Sequence, residues 1–524
     1  MKRSHLELTC LSRTVYSCHR QARASLYAVH WSTGAFIICA LAVRMRVVAL
    51  SLVLSLSFAM PQTRAALSDI ELPVLGDTAS GVISLQQEYE LGRAWLQAFR
   101  SRVETLDDPQ LQQYLEQLLY ELAVHSELEN PRLALVIVNN PTMNAFAVPG
   151  GVIGAHTGLF RYAENEDQLA SVLAHELAHL SQRHFARSVQ NQKASTIGTM
   201  AGLLAGIILA ATVGGDAGMA AITTTQAAAL DSALRYSRQN EQEADRLGMD
   251  TLYRAGRDPR AVSEMFEQMM AATRFTGRRP PEFLLTHPLT ERRVSDARNR
   301  LGQYPTRQYP KEDRYAYMRA RAMLHIDQNP QRSINRFESE LNGHTLNRNA
   351  ARYGLALALA NAGQHERATQ TLKPLLDAQP RDYTLRMAAI ELKLAREDYD
   401  GALTELAELE PLYRNNYALL RLKAEIQMVA GNYPASETVL ETLSDQRPED
   451  PEVWFQLAEV SGLAGDIVGV HQARAEYFIL IGVFDKARQQ LLYAQKLVSD
   501  YRLKAMLTQR LADVEVMMDK AKQL

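Results

Sequence analysis

The sequence predicts a mainly helical α+β domain with a small sheet, followed by an all-α superhelix of stacked helix pairs. The first part mixes helix-period apolar segments with β-rich segments, which is typical of an α+β domain. After Pro305 the strand signals end and small residues recur at a nearly constant interval. We therefore divide the chain into two regions, residues 66–305 and 306–524. A targeting segment precedes the first of them.

Composition limits the class of protein. The chain has 524 residues, of which 47% are hydrophobic and 22% charged, and a net charge of −2. These values exclude a disordered, a collagen-like and a polytopic membrane protein. Near-zero charge argues against nucleic acid as a partner, because phosphate binding needs clustered Lys and Arg. All three cysteines precede residue 40, which excludes a disulfide scaffold and a Cys-ligated zinc site in the rest.

Residues 45–65 have the layout of a secretory signal peptide. An apolar, uncharged run over residues 47–60 follows two arginines and precedes a Thr-Arg-Ala triplet, whose small residues stand where a signal peptidase reads. The run is too short to favour a membrane span. We therefore expect an exported, periplasmic protein.

Met45 stands directly before the signal, so we interpret it as the true translation start. Residues 1–44 are then an upstream extension of the reading frame; the alternative is a long, unusual leader. The mature chain would begin near Ala66 with 49 basic and 58 acidic residues, a charge of −9. That charge suits a soluble exported protein better than one held to anionic lipid.

Residues 66–305 alternate predicted helices and strands. Amphipathic helices are predicted over residues 85–106 and 109–124, and a strand over residues 133–139. Residues 144–154 (NAFAVPGGVIG) predict a strand, a Pro-Gly-Gly turn and a second strand. A long helix over residues 166–190 follows.

Residues 306–524 show an internal repeat. Alanines at 362, 395, 430 and 464 are separated by 33, 35 and 34 residues. Prolines at 380, 411 and 448 mark the ends of units, and Asn329 lies 34 residues before Gly363, which suggests an earlier, degenerate unit. A period near 34 with small residues at fixed places predicts tetratricopeptide repeats. The alternative is an ordinary helical bundle with chance spacing.

The chemical signal is a His-Glu-Leu-Ala-His segment in the long helix. His175 and His179 are four residues apart, so their imidazoles share a face and can reach one zinc ion. Glu176 is offset by about 100° and can address a water molecule instead of the metal. Asn165 is a candidate N-cap, with Gln168 completing a capping box. This pattern is metallopeptidase chemistry.

A third ligand is needed downstream. A metzincin ligand set would need glycine at 182 and histidine at 185, where this chain has Gln182 and Phe185. His184 would point about 180° away from His175 on a continuing helix, so it is interpreted as a surface or packing residue.

Glu241 and Asp245 are better candidates. They share one helix face, so Glu241 can bind zinc while Asp245 accepts a hydrogen bond from a ligand imidazole. Glu243 turns about 160° away from Glu241. The alternative is an acidic, solvated helix face.

These residues, with Asn144–Gly151, resemble the gluzincin family that contains the CaaX prenyl protease and the membrane heat-shock protease. That family pairs a His-Glu-x-x-His helix with a Glu-x-x-x-Asp helix. The signal peptide, single soluble catalytic domain and repeats resemble a periplasmic form of it, over about residues 66–524. The resemblance implies one Zn²⁺ per chain held by His175, His179 and Glu241, with Glu176 as general base and Asp245 orienting a ligand.

Two segments near the site have open roles. Proteases of this kind bind substrate as an added strand, and Asn144, Ala145 and Phe146 could offer that edge; the alternative is a hairpin that only supports the zinc helix. His287, in a His-Pro motif followed by Arg293, could stabilise the oxyanion or occupy the fourth zinc position and hold the enzyme latent. The alternative is a turn histidine before a helix from Thr290.

Residues 196–222 are rich in Gly, Ala and Ile and nearly uncharged. They could form a span, a buried helix pair or a flap in peripheral contact with membrane or substrate. The internal Gly-Gly-Asp favours a flap.

The resemblance implies quality control of outer-membrane β-barrel proteins: degrading stalled or misassembled chains and assisting assembly. Expected partners are unfolded or stalled outer-membrane proteins and, through the repeats, the barrel assembly machinery. The main alternative is a tetratricopeptide chaperone or adaptor with latent protease activity. A membrane-embedded prenyl protease is excluded because the chain lacks several spans.

Overall fold

The computed structural model describes residues 83–191, 238–275, 281–309 and 313–523. The predictions for residues 1–44, 45–65 and 196–222 therefore lie outside the described residues. Among the described helices, none is both long and apolar enough to cross a bilayer.

The first part contains a three-stranded sheet surrounded by helices. Its elements are α1 (Leu85–Arg100), α2 (Pro109–His125), β1 (Ala134–Val138), β2 (Ala145–Val148), β3 (Val152–His156), α3 (Gly158–Tyr162), α4 (Glu166–Ser181), α5 (His184–Asn191), α6 (Arg238–Arg254), α7 (Arg260–Phe275), α8 (Glu282–Thr286) and α9 (Glu291–Arg300). A short 3₁₀ turn, Leu301–Gln303, closes this part.

The sheet has the strand order β1-β3-β2. β1 pairs with β3 in parallel and β2 pairs with β3 antiparallel, with Ala145 opposite Ala155. Gly150 and Gly151 form the turn of this hairpin at φ of 82° and 83°, a region that glycine adopts without steric cost. The predicted strand and the predicted hairpin are both confirmed, and β2 lies at an edge of the sheet.

The sheet lies between two apolar layers because its side chains alternate. Ala145 and Ala147 face the main core under α4. Phe146 and Val148 face the opposite side, where the Phe146 ring centroid lies 5.7 Å from that of Trp95 on α1. Each β2 side chain is therefore committed to a core, and only the backbone of this strand faces the sheet edge.

The prediction of one long helix over residues 166–190 is wrong about where the helix ends. It ends at Ser181, and Arg183 takes a φ of 50° before α5 begins at His184. The N-cap is confirmed, since Asn165 accepts from the Gln168 backbone at 3.0 Å. The capping box is not, because Gln168 Oε1 accepts from Glu164 instead.

The second part is a stack of six helix pairs. These are α10 (Asp313–Asp327) with α11 (Pro330–Asn342), α12 (Arg348–Asn361) with α13 (His365–Ala378), α14 (Tyr383–Ala395) with α15 (Tyr399–Leu409), α16 (Tyr417–Val429) with α17 (Tyr433–Gln446), α18 (Pro451–Ala464) with α19 (Ile467–Leu480), and α20 (Phe484–Leu497) with α21 (Tyr501–Gln523). Successive pairs begin 33 to 35 residues apart, which confirms the predicted period. The degenerate first unit is α10–α11.

The two parts share one hydrophobic core. The largest cluster of buried side chains runs without a break from Leu111 on α2, through α4 and α7, to Leu392 on α14. Tyr315 on α10 also donates to the carbonyl of Ala163 at 2.7 Å. The boundary near residue 305 remains a prediction, because packing does not separate the chain there.

Acidic side chains at and before α2 meet arginines of the repeats. Asp108, the N-cap of α2, accepts from Arg321 Nε at 2.7 Å and lies 2.8 Å from His325 Nε2. Asp107 accepts from Arg421 at 3.0 Å, and Glu116 accepts from Arg447 at 2.6 Å. Helix α2 and the two residues before it are therefore bonded to three of the repeat units, at α10, at α14 through Gln110, and at α16 with the residue that follows α17.

Candidate metal centre

Helices α4 and α6 pack against each other and supply the core of the site. His175, Glu176 and His179 are buried on α4, and Glu241 and Asp245 are buried on α6. Gly248 lets the two helices approach closely, since a Cβ there would lie 3.3 Å from the His175 backbone nitrogen. The helices therefore bring the predicted acidic pair against the predicted histidine pair.

Four side chains converge on one point. The group comprises His175, His179, Glu241 and His287, all buried, with one ligand atom of each within 4.8 Å of the others. His175 Nε2 lies 3.0 Å from His179 Nε2 and 3.4 Å from His287 Nδ1. Glu241 Oε1 lies 3.5 Å from His179 Nε2 and 3.1 Å from His287 Nδ1, and its Oε2 lies 3.5 Å from His175 Nε2.

These spacings fit a tetrahedral metal site. Ligand atoms about 2.0–2.1 Å from a zinc ion in a tetrahedron stand about 3.3–3.4 Å apart. The five distances scatter around that value. The residues present therefore fit a metal, with His287 in the fourth position.

Asp245 and Arg293 contact the candidate ligand residues and hold them in place. Asp245 Oδ1 lies 3.1 Å from His175 Nδ1. Arg293 on α9 donates to both Asp245 oxygens at 2.7 Å, and its Nη1 forms an ion pair with Glu241 Oε2 at 2.9 Å. This arrangement fixes the His175 ring with its Nε2 toward the convergence point.

The buried charges shift one another's pKa values. Burial acts against the charged form of Asp245, but the Arg293 guanidinium outweighs it and lowers the pKa of Asp245. Burial also opposes protonation of His175, yet the hydrogen bonds to Asp245 and Glu241 raise its pKa to about 9. Burial and the neighbouring His175 charge hold the pKa of His179 well below its usual value.

Glu176 stands apart from the ligand set. Neither carboxylate oxygen has a hydrogen-bond partner of good geometry within the described residues, and His287 Nε2 lies 3.6 Å from its Oε1. Complete burial raises the pKa of Glu176, while the charges of His287 and His175 and the Ala147 backbone N–H act in the opposite direction. A buried carboxyl with a raised pKa and open lone pairs is suited to proton transfer.

His184 was wrongly placed on a continuing helix. Because the chain turns at Arg183, His184 is fully buried beneath His179, with 2.7 Å between their Nδ1 atoms. Its Nε2 lies 3.1 Å from Glu243 Oε2. Glu243 does turn away from Glu241, as predicted, and it does so toward His184.

The segment around His287 is held against the start of β2. Phe283 N donates to the Met143 carbonyl at 3.1 Å, and Thr142 Oγ1 bonds to Glu282 Oε2 at 3.1 Å. Helix α9 starts one residue after its N-cap Thr290, as expected. The histidine is therefore presented from a fixed turn between α8 and α9.

The edge of β2 opens toward Glu176. His156 N donates to the Asn144 carbonyl at 3.0 Å. Because backbone groups alternate along an antiparallel pair, those of Ala145 and Ala147 face away from β3. Asn144 Oδ1 is buried and has no hydrogen-bond partner within the described residues. Asn144 thus presents its side-chain amide oxygen and Ala145 its outward backbone, whereas the backbone of Phe146 faces β3 and its ring packs in the core.

Two contributions were missed by sequence reasoning. Arg293 was noted only beside the His-Pro motif, and its double bond to Asp245 has no signal in local spacing. His184 and Glu243 lie 59 residues apart, and no local spacing indicates that they meet beside His179.

Comparisons with known proteins divide the chain in the same way, into a peptidase part and a repeat part. Residues 109–301 match the sequence profile of Peptidase family M48, and residues 393–458 match that of a tetratricopeptide repeat. The chain is 35% identical over 418 residues to the beta-barrel assembly-enhancing protease of Escherichia coli K12, covering 79% of this chain and 85% of that protein. The protein of the same name from Yersinia pestis is 33% identical over 420 residues, with the same coverage.

A more distant relative matches a shorter stretch of the chain. The mitochondrial metalloendopeptidase OMA1 of Schizosaccharomyces pombe is 31% identical over 182 residues, which is 34% of this chain and 50% of that protein. The predicted fold class, a peptidase domain with a small sheet followed by tetratricopeptide helices, is confirmed.

Proposed function

This chain belongs to peptidase family M48 and is a metalloprotease, and from that premise we propose that it is a periplasmic zinc endopeptidase that acts on outer-membrane β-barrel proteins. The observation that carries the proposal is the convergence of His175, His179 and Glu241 beside the open carboxylate of Glu176. Two imidazoles and one carboxylate are a donor set that catalytic zinc sites use.

The chain's own residues have distinct tasks. Zinc bound there would polarise the scissile carbonyl and lower the pKa of a water molecule to about 7. Glu176 acts as the general base: its carboxylate accepts the proton that the attacking water loses and returns it to the leaving amine. Asp245, held by Arg293, keeps the His175 proton on Nδ1 so that Nε2 remains a ligand.

The substrate would bind as a strand beside β2. Its N–H groups find acceptors in Asn144 Oδ1 and in the outward backbone carbonyls of Ala145 and Ala147. Outer-membrane β-barrel proteins that have not closed expose unpaired strands, which suits this mode of binding. The names of the relatives from Escherichia coli and Yersinia pestis support the same substrate class.

His287 would keep the protease latent in this conformation. Its Nδ1 occupies the fourth position of the ligand group, which a catalytic site leaves to water or substrate. Movement of the turn between α8 and α9 would vacate that position. The alternative role, stabilising the oxyanion, requires the same histidine to face the substrate carbonyl after that movement.

The repeats would contact the barrel assembly machinery, so that stalled chains are degraded and others are assisted in assembly. Residues 196–222 remain a candidate for peripheral membrane contact. The latent geometry at His287 favours a second candidate function, a chaperone or adaptor whose protease is rarely active.

The test combines metal content with cleavage. We expect the purified mature chain to hold one zinc ion and to cleave an unfolded β-barrel protein, and Glu176→Gln to reduce the rate at least about 100-fold while binding zinc normally. Glu366→Gln on the exposed face of α13 is the matched control and should cleave as wild type. Absence of zinc, or wild-type cleavage by Glu176→Gln, would contradict the mechanism. Normal barrel assembly in a Glu176→Gln strain would favour the adaptor.

A further inference from the structure

His184 is a buried histidine beside the ligand group that the mechanism above leaves unused. We propose that His184 and Glu243 are positioning residues for His179: His179 Nδ1–H donates to His184 Nδ1, and His184 Nε2–H donates to Glu243. This inference rests on the proposed zinc site and adds a supporting chain to its second histidine.

The turn at residues 182–183 delivers His184 to this place. Arg183, at a φ of 50°, donates from Nη2 to the Ile83 carbonyl at 2.6 Å and pairs with Glu88 at 3.3 Å. These contacts reverse the chain, so that His184 lies under α4 instead of continuing along it. The rings of His179 and His184 then meet edge to face, with centroids 4.8 Å apart. A left-handed arginine carries a conformational cost, and the contacts with Ile83 and with Glu88 on α1 offset it.

The direction of the hydrogen bonds follows from the ligand role of His179. Its Nε2 faces the ligand group, so its Nδ1 carries the proton. His184 Nδ1, 2.7 Å away, must then accept, because two N–H groups cannot face each other at that distance. The remaining proton of His184 sits on Nε2, which faces Glu243 Oε2 at 3.1 Å. Arg187 Nη1 lies 3.0 Å from the same oxygen and neutralises the carboxylate.

The two ligand histidines are therefore backed by the same kinds of group. His175 meets Asp245 directly, and Asp245 is held by Arg293. His179 meets Glu243 through His184, and Glu243 is held by Arg187. In both cases a carboxylate paired with an arginine fixes the tautomer and the ring plane of a ligand, the function that outer groups serve in zinc sites.

The test separates this role from simple packing of a buried ring. In His184→Asn the Oδ1 atom can accept near the position of Nδ1, whereas His184→Leu fills space without an acceptor. Measured by chelator competition, we expect His184→Leu to weaken zinc binding about 10- to 100-fold and His184→Asn to stay within about threefold of wild type. The same comparison is made at Glu243, where Glu243→Gln keeps an acceptor for His184 Nε2–H and Glu243→Ala removes it. Arg246→Gln, also on α6, is the control.

A spectroscopic readout checks the bond itself. With Co²⁺ in place of zinc, the ¹H spectrum should contain a strongly shifted, slowly exchanging N–H signal from His179 that is retained in His184→Asn and lost to exchange in His184→Leu. Equal zinc affinity of His184→Leu and wild type, or equal losses in the Asn and Leu variants, would overturn the inference. If the wild type itself bound no zinc, the proposed function would fail first. If His184→Leu does not fold, the comparison of Glu243→Ala with Glu243→Gln decides the inference instead.

Discussion

His287 is the residue whose substitution distinguishes most clearly between the roles open to it. As a fourth ligand it blocks the position that water or substrate needs, so His287→Ala should raise cleavage about tenfold if the open state of the wild type is about one tenth populated. As an oxyanion stabiliser its loss should lower the rate about 100-fold or more. The measurement is the initial rate of cleavage of an unfolded β-barrel protein at saturating zinc.

His344→Ala provides the matched control, because His344 is exposed on the loop before α12 and should leave the rate unchanged. An unaltered rate in His287→Ala, with full zinc content, would remove both roles. Lower zinc affinity is expected beside a raised rate, since the variant lacks one of the four converging groups.

At this scale, helical spacing explains which candidate residues the sequence could bring together. His175 with His179 and Glu241 with Asp245 each lie one helical turn apart, so spacing alone places each pair on one face. His184 could not be placed, because the helix ends where Arg183 is held by residues about 95 positions earlier. Local periodicity carries no information on a turn that a distant contact stabilises.

At the scale of elements, the hairpin of β2 and β3 depends on one glycine. A Cβ at Gly154 would lie 2.0 Å from Phe146 Cζ, so the ring that packs against Trp95 and Phe99 must move. We expect Gly154→Ala to destabilise the protein by about 1–3 kcal/mol. Thermal denaturation of the purified chain measures this.

The control is Gly302→Ala, since no atom lies within 4 Å of a Cβ at that position. Adding Phe146→Leu to Gly154→Ala should recover part of the loss, because the two positions share one contact. Additive losses in the double variant would show that the ring does not cover Gly154.

Strands and helices were predicted well where pattern and turn chemistry agreed. β1 and the hairpin follow from β-branched runs and the Pro-Gly-Gly turn, and α2 begins at the Asp-Pro break as expected. The first helix ends at Arg100, earlier than predicted, because the Ser101 N–H already closes the last turn on Gln97. Apolar residues beyond a helix end, such as Val103, can still be buried by the loop.

At the scale of the whole molecule, Asp108 links the peptidase part to the repeats. Burial disfavours its charged form, but Arg321 and His325 outweigh this and hold its pKa well below the usual value. A carboxyl whose pKa is lower in the folded state adds stability above the unfolded pKa of about 3.9, and that stability is lost as pH falls below it.

Asp108→Asn should therefore reduce stability by about 3 kcal/mol at pH 7, while the amide retains the N-cap of α2. The difference from wild type should shrink as the pH falls below about 4, as seen in urea titrations at several pH values. Asp377→Asn is the control, because its pair with Lys373 on α13 is exposed. A difference that does not depend on pH would assign the effect to packing.

The joint between the two parts lay beyond sequence reasoning. The repeat period and the end of the strand signals located the change in architecture. The ion pairs that hold it, such as that between Asp108 and Arg321, join residues 213 positions apart, and no local pattern marks which charged residues of a solenoid face inward.

The unbroken core from α2 to α14 also sets an order of events during synthesis. The peptidase part leaves the ribosome first, yet Asp107, Asp108 and Glu116 at and before α2 have no repeat arginines to pair with until the repeats are made. Much of the apolar surface around Leu111 and Tyr114 also stays uncovered until the repeats pack against it. The packing of the peptidase part is thus completed by a segment that is made after it.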